Sequence, residues 1–386
     1  MKAKKAAGKI LAAALAVSMT AVPCQGLLAA TTSNEVTDRE KENAAIARSA
    51  AAQSMVLLEN KNQALPLKGK TIALFGGGAA RTVRGGNGSG DPFNGGLSGG
   101  GDINVNQSER YNINICNSLL KAGYQITTKD LLDRYTEGYD KAYQASGGNV
   151  MSAFAYPELE FTDGELQAAT EGTDTAVYVI SRNAGEGADR SMTKTVTVDG
   201  VEYELGDYAL SQVEIDNLRR VSQAFENTIV VLNVGGVVDT AFFDEIEGLD
   251  ALLLMGQCGQ EGGNALMDVL NGTVTPSGKL TSTWAKQYGD YPAAGTFADQ
   301  DGNHDKEVYE EGIYVGYRYF DTFGIDPAYA FGYGQSYTDF DMEVKDVSAD
   351  EEKVTVEVEV TNTGDTYSGK EVVQVYYSAP DTSAEK

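Results

Sequence analysis

The chain has 386 residues, of which 30 are lysine or arginine and 56 are aspartate or glutamate, giving a net charge of -26 at pH 7. This length is enough for two or three domains with buried cores. The negative field repels phosphate backbones and therefore argues against a nucleic-acid partner. Histidine occurs once and cysteine three times, too few for a zinc site. A Ser-His-Asp triad would need His304, which lies in a polar loop typical of a solvated side chain.

The N-terminus has the pattern of a secretory signal. Several lysines precede an apolar stretch from Ile10 to Val22 that is too short for an ordinary membrane-spanning helix, and small residues follow it. We predict a signal peptide over residues 1–30 and a secreted protein, with an uncleaved N-terminal membrane anchor as the alternative. Cleavage would leave Cys116 and Cys258, whose spacing neither requires nor excludes one disulfide.

Helical and strand patterns alternate along the middle of the chain. Helices are predicted over Val36–Asn60 and Ile113–Ala122, from a capping box at Ser211 to about Glu226, and over Asn264–Leu270. Strands are predicted over Thr71–Phe75, Tyr124–Thr127, Ala176–Ser181, Thr228–Val234 and Ala251–Met255. The Tyr-rich segment Tyr135–Gln144 has no clear assignment. Such alternation predicts an α/β fold with a parallel sheet covered on both faces.

Three glycines, Gly76 to Gly78, follow the first of these strands and resemble the start of a dinucleotide-binding fingerprint. The third glycine of that fingerprint would fall at Arg81, and no P-loop lysine follows. The sequence therefore predicts no nucleotide site here.

The most distinctive stretch runs from Ala176 to Arg190. An apolar strand gives way abruptly to polar residues, and Glu186 stands between two glycines just past the carboxyl end of the strand. Ligands of open α/β sheets bind in the crevice outside these strand ends. Glu186 is therefore placed where a catalytic carboxylate would lie, although a solvated acidic turn has the same pattern.

Two other segments allow two interpretations each. Nine glycines occur in the 17 residues from Gly85 to Gly101, as in a lid that lines a ligand cleft or in a flexible surface loop. The segment Val308–Asp321 is dense in tyrosine, which suits either sugar recognition or a domain interface. We favour the interface.

The C-terminal tail is all-β in pattern. Strands are predicted over Phe340–Val347, over Val354–Val360 with strict alternation, and over Glu371–Ser378. Three strands are too few for a β-sandwich of about seven and would leave half a core exposed. We expect this domain to be cut short.

Several segments together resemble a known family. They are Ser54–Asn60 with Leu65–Leu67, Gly85–Gly90, Ser181–Arg190, Gly259–Ala265 with Pro276–Leu280, Tyr309–Asp321, Phe331–Thr338, and Thr361–Asp365 with Gly369–Val372. From about Ala50 to Lys386 the chain resembles the second and third domains of glycoside hydrolase family 3, which contains β-glucosidases and related β-glycosidases. The resemblance implies an α/β sandwich domain over residues 40–337 and a truncated fibronectin type III-like domain over 338–386.

The resemblance also implies a chemistry. Members of the family are retaining glycosidases in which one carboxylate attacks the anomeric carbon and another serves as acid and then base. Glu186 matches the acid/base glutamate of the family's Gly-Glu-Gly-x-Asp-Arg pattern. Arg84, Asp91, Asp189 and Arg190 match residues near the sugar, and the last two either contact substrate or position the loop. The implied substrate is a β-linked oligosaccharide or glycoside, and no metal or organic cofactor is implied.

One part of the family pattern is missing from the sequence. The family's nucleophile is an aspartate in a Ser-Asp-Trp motif on a (β/α)₈ barrel of about 250 residues, whereas the only tryptophan here, Trp284, follows Thr283. In one arrangement of the family the sandwich and fibronectin-like domains precede the barrel, and this chain fits the front part of such an enzyme. We therefore expect a β-glycosidase part that is inactive alone. The alternative is a non-catalytic carbohydrate-binding or pseudo-enzyme module that pairs with a separate barrel chain.

Overall fold

The computed structural model describes residues 35–86, 113–146, 154–185, 190–297, 302, 305, 306 and 308–377. Its helices are α1 (Asp38–Ser54), α2 (Gly77–Ala80), α3 (Ile115–Lys121), α4 (Lys129–Ala145), α5 (Asp163–Ala169), α6 (Gln212–Ala224), α7 (Phe242–Glu245), α8 (Gly262–Leu270) and α9 (Tyr317–Phe323). Its strands are β1 (Val56–Asn60), β2 (Thr71–Phe75), β3 (Gln125–Ile126), β4 (Thr175–Ser181), β5 (Thr193–Val198), β6 (Val201–Gly206), β7 (Asn227–Asn233), β8 (Ala251–Leu254), β9 (Phe340–Ala349) and β10 (Val354–Asn362).

Some sequence predictions cannot be compared with this structure. The signal peptide over residues 1–30 and most of the glycine-rich loop lie outside the described residues. Within the described part, no helix combines the length and the apolar character needed to cross a membrane.

A six-stranded sheet organises the fold, in the order β1-β8-β7-β4-β2-β3. All neighbouring pairs are parallel except β1 with β8. The central strands are apolar and β-branched, and successive side chains of β4 and β7 point into two separate buried clusters, one on each face of the sheet. Burial on both faces explains why these strands are continuous apolar runs rather than alternating ones. The predicted α/β fold class is confirmed.

Helices α5 and α6 begin with reciprocal capping boxes. The Ser211 hydroxyl accepts a hydrogen bond from the Glu214 amide, and the Glu214 carboxylate accepts one from the Ser211 amide. Thr162 and Glu165 repeat this arrangement at α5. Each box satisfies backbone donors that a helix start leaves without partners. The prediction of a helix opening at Ser211 is confirmed.

The predicted helix over Val36–Asn60 is wrong in its last six residues. Helix α1 ends at Ser54, and Val56 begins strand β1, which pairs antiparallel with β8. The alanines before Ser54 favour a helix, but Leu57 and Leu58 gain complete burial as part of the sheet edge. Tertiary packing therefore overrides local helix propensity at this position.

The Tyr-rich segment that the sequence left unassigned lies within helix α4. Tyr135, Tyr139 and Tyr143 follow one another at four-residue spacing along one helix face. Their rings contact Phe154 and Tyr156 in mostly edge-on arrangements. These tyrosines belong to the core on that side of the sheet.

The C-terminal strands are only partly as predicted. Strands β9 and β10 form a two-stranded antiparallel sheet, but no strand forms over residues 371–377. Instead Glu371 forms an ion pair with Lys279, and the Lys370 amide donates a hydrogen bond to the Ser277 hydroxyl. This segment is held by side-chain contacts to the sandwich rather than by a strand ladder. Its fibronectin type III-like character stays a prediction.

Cys116 and Cys258 are both free thiols. Burial raises the pKa of each thiol to about 11. A thiol with so high a pKa is almost entirely protonated at neutral pH and is a poor nucleophile.

Candidate functional site

The sheet places its ligand crevice between β2 and β4. From β2 the chain moves outward to β3, and it then returns to the other side of β2 to form β4, β7 and β8. In a doubly wound sheet this reversal of strand order opens a crevice at the carboxyl ends of the two strands. Residues 182–185, which precede Glu186 in the chain, follow the end of β4 at this point.

The glycines after β2 are required by close packing. Gly76 has a positive φ of 89°, and a Cβ atom there would lie 2.1 Å from the carbonyl oxygen of Val179 on the neighbouring strand. A Cβ at Gly78 would lie 1.8 Å from the hydroxyl of Ser181. These contacts leave no room for a side chain. The glycine run is explained by strand packing and needs no nucleotide.

Asn233, at the end of β7, joins the strand ends together. Its side-chain oxygen accepts hydrogen bonds from the Val83 amide at 2.7 Å and the Ser181 hydroxyl at 3.0 Å. Its amide nitrogen donates to the carbonyls of Val83 at 2.9 Å and Gly256 at 2.8 Å. A primary amide offers two donors and two acceptor positions, so this buried side chain is fully used. Asn233 is not among the residues predicted for the site, although a polar residue near the end of an apolar strand is a signal that the sequence contains.

The residue that follows β4, Arg182, is held by a buried ion pair. Its guanidinium donates two hydrogen bonds to the Glu214 carboxylate, at 2.7 and 2.9 Å, and one to the Asp207 carbonyl at 2.8 Å. The two charged side chains are 4% and 6% exposed. Glu214 is also the capping-box residue of α6, so one carboxylate fixes both a helix start and a strand end. Paired, bidentate geometry of this kind is what makes a buried charge tolerable.

Arg190 is held at the other side of the same loop. Its Nε donates to the Asp207 carboxylate at 2.8 Å, and its Nη atoms donate to the carbonyls of Asp207 and Val237, both at 2.6 Å. The remaining carboxylate oxygen of Asp207 accepts the Ser191 amide at 2.8 Å. The carbonyl of Asp207 therefore receives both Arg182 and Arg190. Asp207 therefore binds the residues on either side of the seven-residue loop 183–189, and we call Asp207 with Arg182 and Arg190 the loop anchor.

A cavity of about 120 Å3 with both polar and apolar walls lies in the crevice beside this anchor. Glu158 lines it and accepts hydrogen bonds from the Gly77 amide at 3.1 Å and from the Leu159 amide at 2.9 Å. Burial, together with the nearby charge of Glu214, raises the pKa of Glu158 to about 7. Lys194 also lines the cavity, and burial lowers the pKa of its ammonium group. No sequence pattern indicated Glu158, because its surroundings come from segments that are distant in the chain, among them Gly77, Arg182 and Glu214.

A second, mainly apolar space of about 510 Å3 is lined in part by Ala184, Gly185 and Arg190. We call it the aromatic hollow, and it is lined by Tyr208, Tyr288, Tyr291, Phe297, Val237 and Gly185, among others. The three tyrosine rings contact one another at centroid distances of 5.2 to 6.4 Å, tilted by 63° to 84°. Edge-to-face contacts of this kind fix aromatic rings in place.

A sequence profile of the glycosyl hydrolase family 3 C-terminal domain matches residues 55–317. The chain belongs to glycosyl hydrolase family 3. It is 37% identical over 363 residues to β-glucosidase A of Butyrivibrio fibrisolvens, covering 86% of this chain and 41% of that relative. It is 35% identical over 293 residues to a β-glucosidase of Ruminococcus albus, covering 75% and 28%.

Solved structures give the same result for the fold. The structure of β-glucosidase 3B from Thermotoga neapolitana in complex with α-D-glucose superposes with a TM-score of 0.71 at 36% sequence identity. The match covers 85% of this chain and 43% of the other. The chain thus spans less than half the length of these family 3 relatives.

The structure describes only some of the residues predicted for the family 3 site. Glu186, Asp189 and Asp91 lie outside the described residues. Arg84 is buried, and its carbonyl accepts a hydrogen bond from the Gly259 amide at 2.9 Å, next to the end of β8. Within the chain, Arg190 contacts Asp207 and Val237 at the end of the loop. Of the two roles predicted for Arg190, these contacts agree with positioning the loop. Substrate contact by Arg84 or Arg190 stays a prediction.

Metal binding and the predicted aromatic interface can also be compared with the described segments. Within them, no group of three or more His, Cys, Asp and Glu side chains is arranged to hold a metal ion. The Tyr317 ring contacts Phe331 and Tyr376 at 5.3 and 5.7 Å between centroids. Tyr309, in contrast, is 83% exposed. Part of the segment Val308–Asp321 therefore packs against the C-terminal residues.

Proposed function

We propose that this chain is the acid/base-bearing part of a secreted, retaining β-glycosidase of the β-glucosidase type, and that Glu186 is its acid/base. The observation that carries the proposal is the anchored loop. Arg182 and Arg190 both donate to the Asp207 carbonyl, which fixes the two ends of the loop that contains Glu186. The relatives named above are β-glucosidases, which supports the same reaction class.

In this mechanism a carboxylate nucleophile bonds to the anomeric carbon while the bond to the glycosidic oxygen breaks. Glu186 gives its proton to that oxygen, so the leaving group departs as a neutral alcohol. Glu186, now ionised, then removes a proton from water, which attacks the anomeric carbon and releases the nucleophile. An acid/base must be held close to the reacting oxygen. The two arginine contacts provide this constraint at both loop ends.

The nucleophile would come from outside these 386 residues. The Ser-Asp-Trp motif is not in the sequence, where Trp284 follows Thr283. We therefore propose a barrel domain as the partner of this chain, and we expect the 386-residue chain alone not to hydrolyse aryl β-glucosides. Measurable turnover of 4-nitrophenyl β-D-glucoside by the pure chain would contradict this part of the proposal.

The first step of the test is to find the native species that contains this region. An antibody to the chain should detect a polypeptide of roughly twice this length, since the matches cover only 41% and 43% of two family 3 relatives, and this leaves room for a barrel of about 250 residues. A stable species near 41 kDa would favour the alternative, a non-catalytic or pseudo-enzyme module that pairs with a separate barrel chain.

The acid/base role is tested by Glu186→Gln in the native species that contains the barrel. Loss of a general acid slows substrates with poor leaving groups by about 10²–10⁴-fold, while an activated leaving group such as 2,4-dinitrophenol needs little protonation. We expect a large loss of kcat/KM on cellobiose and a small loss of kcat/KM on the dinitrophenyl glucoside. Azide should partly restore kcat, because it attacks the glycosyl-enzyme intermediate without needing a base. Glu202→Gln, on the exposed β5–β6 hairpin, is the matched control. Equal rates of wild type and Glu186→Gln on cellobiose would refute the assignment.

A further inference from the structure

The cavity that Glu158 and Lys194 line beside the loop anchor, which we call the crevice cavity, limits the size of any ligand. Its volume is about 120 Å3. An engineered cavity of about 150 Å3 in another protein holds one benzene molecule. A ligand of the crevice cavity would therefore have about six non-hydrogen atoms or fewer, about half as many as a hexose. This size excludes a sugar.

Aromatic rings form one wall of the crevice cavity. They belong to Tyr135, Tyr139, Phe154 and Tyr156. The Tyr156 ring contacts those of Tyr135 and Tyr139 at 5.4 and 5.9 Å between centroids, and the Tyr139 ring contacts Phe154 at 5.0 Å. These contacts are edge-on and fix the rings. The wall suits a short hydrocarbon group of a ligand.

Two cations that line the cavity are already paired within the protein. The Arg182 guanidinium donates two hydrogen bonds to the Glu214 carboxylate. Arg81, which is 5% exposed, forms an ion pair with Asp140. Direct pairing of this kind compensates the charge of each arginine.

Lys194 is the cation that the protein compensates least. Its only ion pair among the described residues is with Asp207, across 4.0 Å. That carboxylate already accepts hydrogen bonds from the Arg190 Nε and the Ser191 amide, both at 2.8 Å. Burial lowers the pKa of Lys194, as expected of an ammonium group that is partly desolvated and weakly paired. The cavity therefore presents a cation that can still take a hydrogen-bond acceptor.

Glu158 presents a second donor to the same space. Its carboxyl group accepts hydrogen bonds from the Gly77 and Leu159 amides, and it forms no ion pair with any described residue. Because its pKa is raised to about 7, the group is largely protonated below pH 7 and can donate a hydrogen bond. An ammonium and a carboxylic acid facing one cavity are both satisfied by the two oxygens of a carboxylate.

We propose that the crevice cavity binds a small organic monocarboxylate of the size of acetate or propionate. The oxygens of this ligand would accept hydrogen bonds from Lys194 and Glu158, and its alkyl group would lie against the aromatic wall. Since Lys194 belongs to β5, the ligand would connect the β5–β6 hairpin with the core of the sandwich. The inference goes beyond the proposed glycosidase function and uses neither Glu186 nor a barrel.

The test is a binding titration on the 386-residue chain. The ligand is propionate, followed by the linewidth of its methyl proton NMR signal at pH 6, with sodium chloride added to keep the ionic strength constant. We expect saturable binding with a Kd in the millimolar range. Lys194→Met should weaken it at least about tenfold, and Ala155→Phe, which fills the cavity, should abolish it.

The control is Lys345→Met, which removes an exposed lysine of the β9–β10 sheet and should leave binding unchanged. Circular dichroism melts check that each variant is folded. Absence of saturable binding to the wild type, or equal binding to wild type, Lys194→Met and Ala155→Phe, would overturn the proposal. Tighter binding of glycine than of propionate would show a site for zwitterions, and equal displacement by chloride would show a site for any anion. Either result would overturn the assigned class of ligand.

The role of Glu158 is tested by the pH dependence of binding. The charged and titratable groups around it in the cavity and the core are Arg81, Tyr135, Tyr178, Arg182, Lys194 and Glu214. Burial raises the pKa of both tyrosines, so they stay protonated at neutral pH. Between pH 6 and pH 8 Glu158 ionises and repels the ligand, which should weaken binding to the wild type about tenfold.

Glu158→Gln should remove most of this pH dependence, because a glutamine amide donates a hydrogen bond at either pH. An equal weakening in wild type and Glu158→Gln would contradict a contact between Glu158 and the ligand. None of these outcomes bears on the acid/base assignment, which is decided by the leaving-group dependence of Glu186→Gln.

Discussion

Valine-rich strands are buried in one region of this molecule and exposed in another. In β7, Val230 and Val231 are completely buried, whereas in β9 and β10, Val344 and Val354 are 59% and 66% exposed. The strands have the same residue type and the same backbone state. The difference is that the six-stranded sheet has buried clusters on both faces, while in the described structure β9 and β10 pair only with each other.

The comparison shows that a strand pattern and its burial are separate properties. Valine favours extended backbone because of its branched side chain, and this acts equally in both regions. The hydrophobic stabilisation arises only where another element removes the side chain from water, at roughly 25 cal/mol per Å2 of apolar area. Stability should therefore reside in the sandwich and depend little on the β9–β10 sheet.

The largest expected loss of unfolding free energy comes from breaking the buried ion pair. Arg182→Met leaves the Glu214 carboxylate buried without its partner, which should lower the free energy of unfolding by about 3–5 kcal/mol. The matched variant Lys345→Met removes two exposed ion pairs on the β9–β10 sheet, one with Glu343 and one with Glu359. It should not measurably change the free energy of unfolding. Urea unfolding followed by fluorescence measures both. Similar losses of unfolding free energy in Arg182→Met and Lys345→Met would contradict the expected difference between buried and exposed ion pairs.

The next effect is a pH dependence from Glu158. Its pKa is raised from 4.5 to about 7 in the folded chain, so the folded state holds the proton more tightly than the unfolded state does. This contribution is present below pH 4.5 and is lost as the pH rises towards 7. Across that window it should lower the free energy of unfolding by about 2–3 kcal/mol.

Glu158→Gln tests this directly, because glutamine keeps an oxygen that can accept from Gly77 and does not titrate. The difference in unfolding free energy between wild type and variant should change by that amount between pH 5 and pH 8, in urea titrations at each pH. Parallel curves for the two proteins would show that Glu158 does not carry the effect.

The smallest effect is a direct test of the valine comparison. Val231→Ala creates a cavity in a strand covered on both faces and should cost about 2 kcal/mol. Val344→Ala in β9 should change the free energy of unfolding by less than about 0.5 kcal/mol. Both are measured by urea unfolding against the wild type. A loss at Val344 as large as that at Val231 would mean that another element covers the β9–β10 sheet.

The sequence by itself determined the features that depend on local pattern. The apolar runs of β2, β4, β7 and β8 and the capping box at Ser211 were predicted within one or two residues, because strand burial and helix starts leave periodic or fixed-offset signals. The motif from Ser181 to Arg190 and its companions indicated the family, which the profile match then confirmed.

The tertiary structure decided what depends on residues distant in the chain. Strand β1 forms because β8 offers it an edge, against the local helix preference. Asp207 receives both Arg182 and Arg190, Asn233 joins three strand ends, and Glu158 is buried beside Glu214. None of these contacts has a fixed spacing in the sequence. They arise because parallel strands bring their carboxyl ends to one edge of the sheet, where distant residues complete one another's hydrogen bonds.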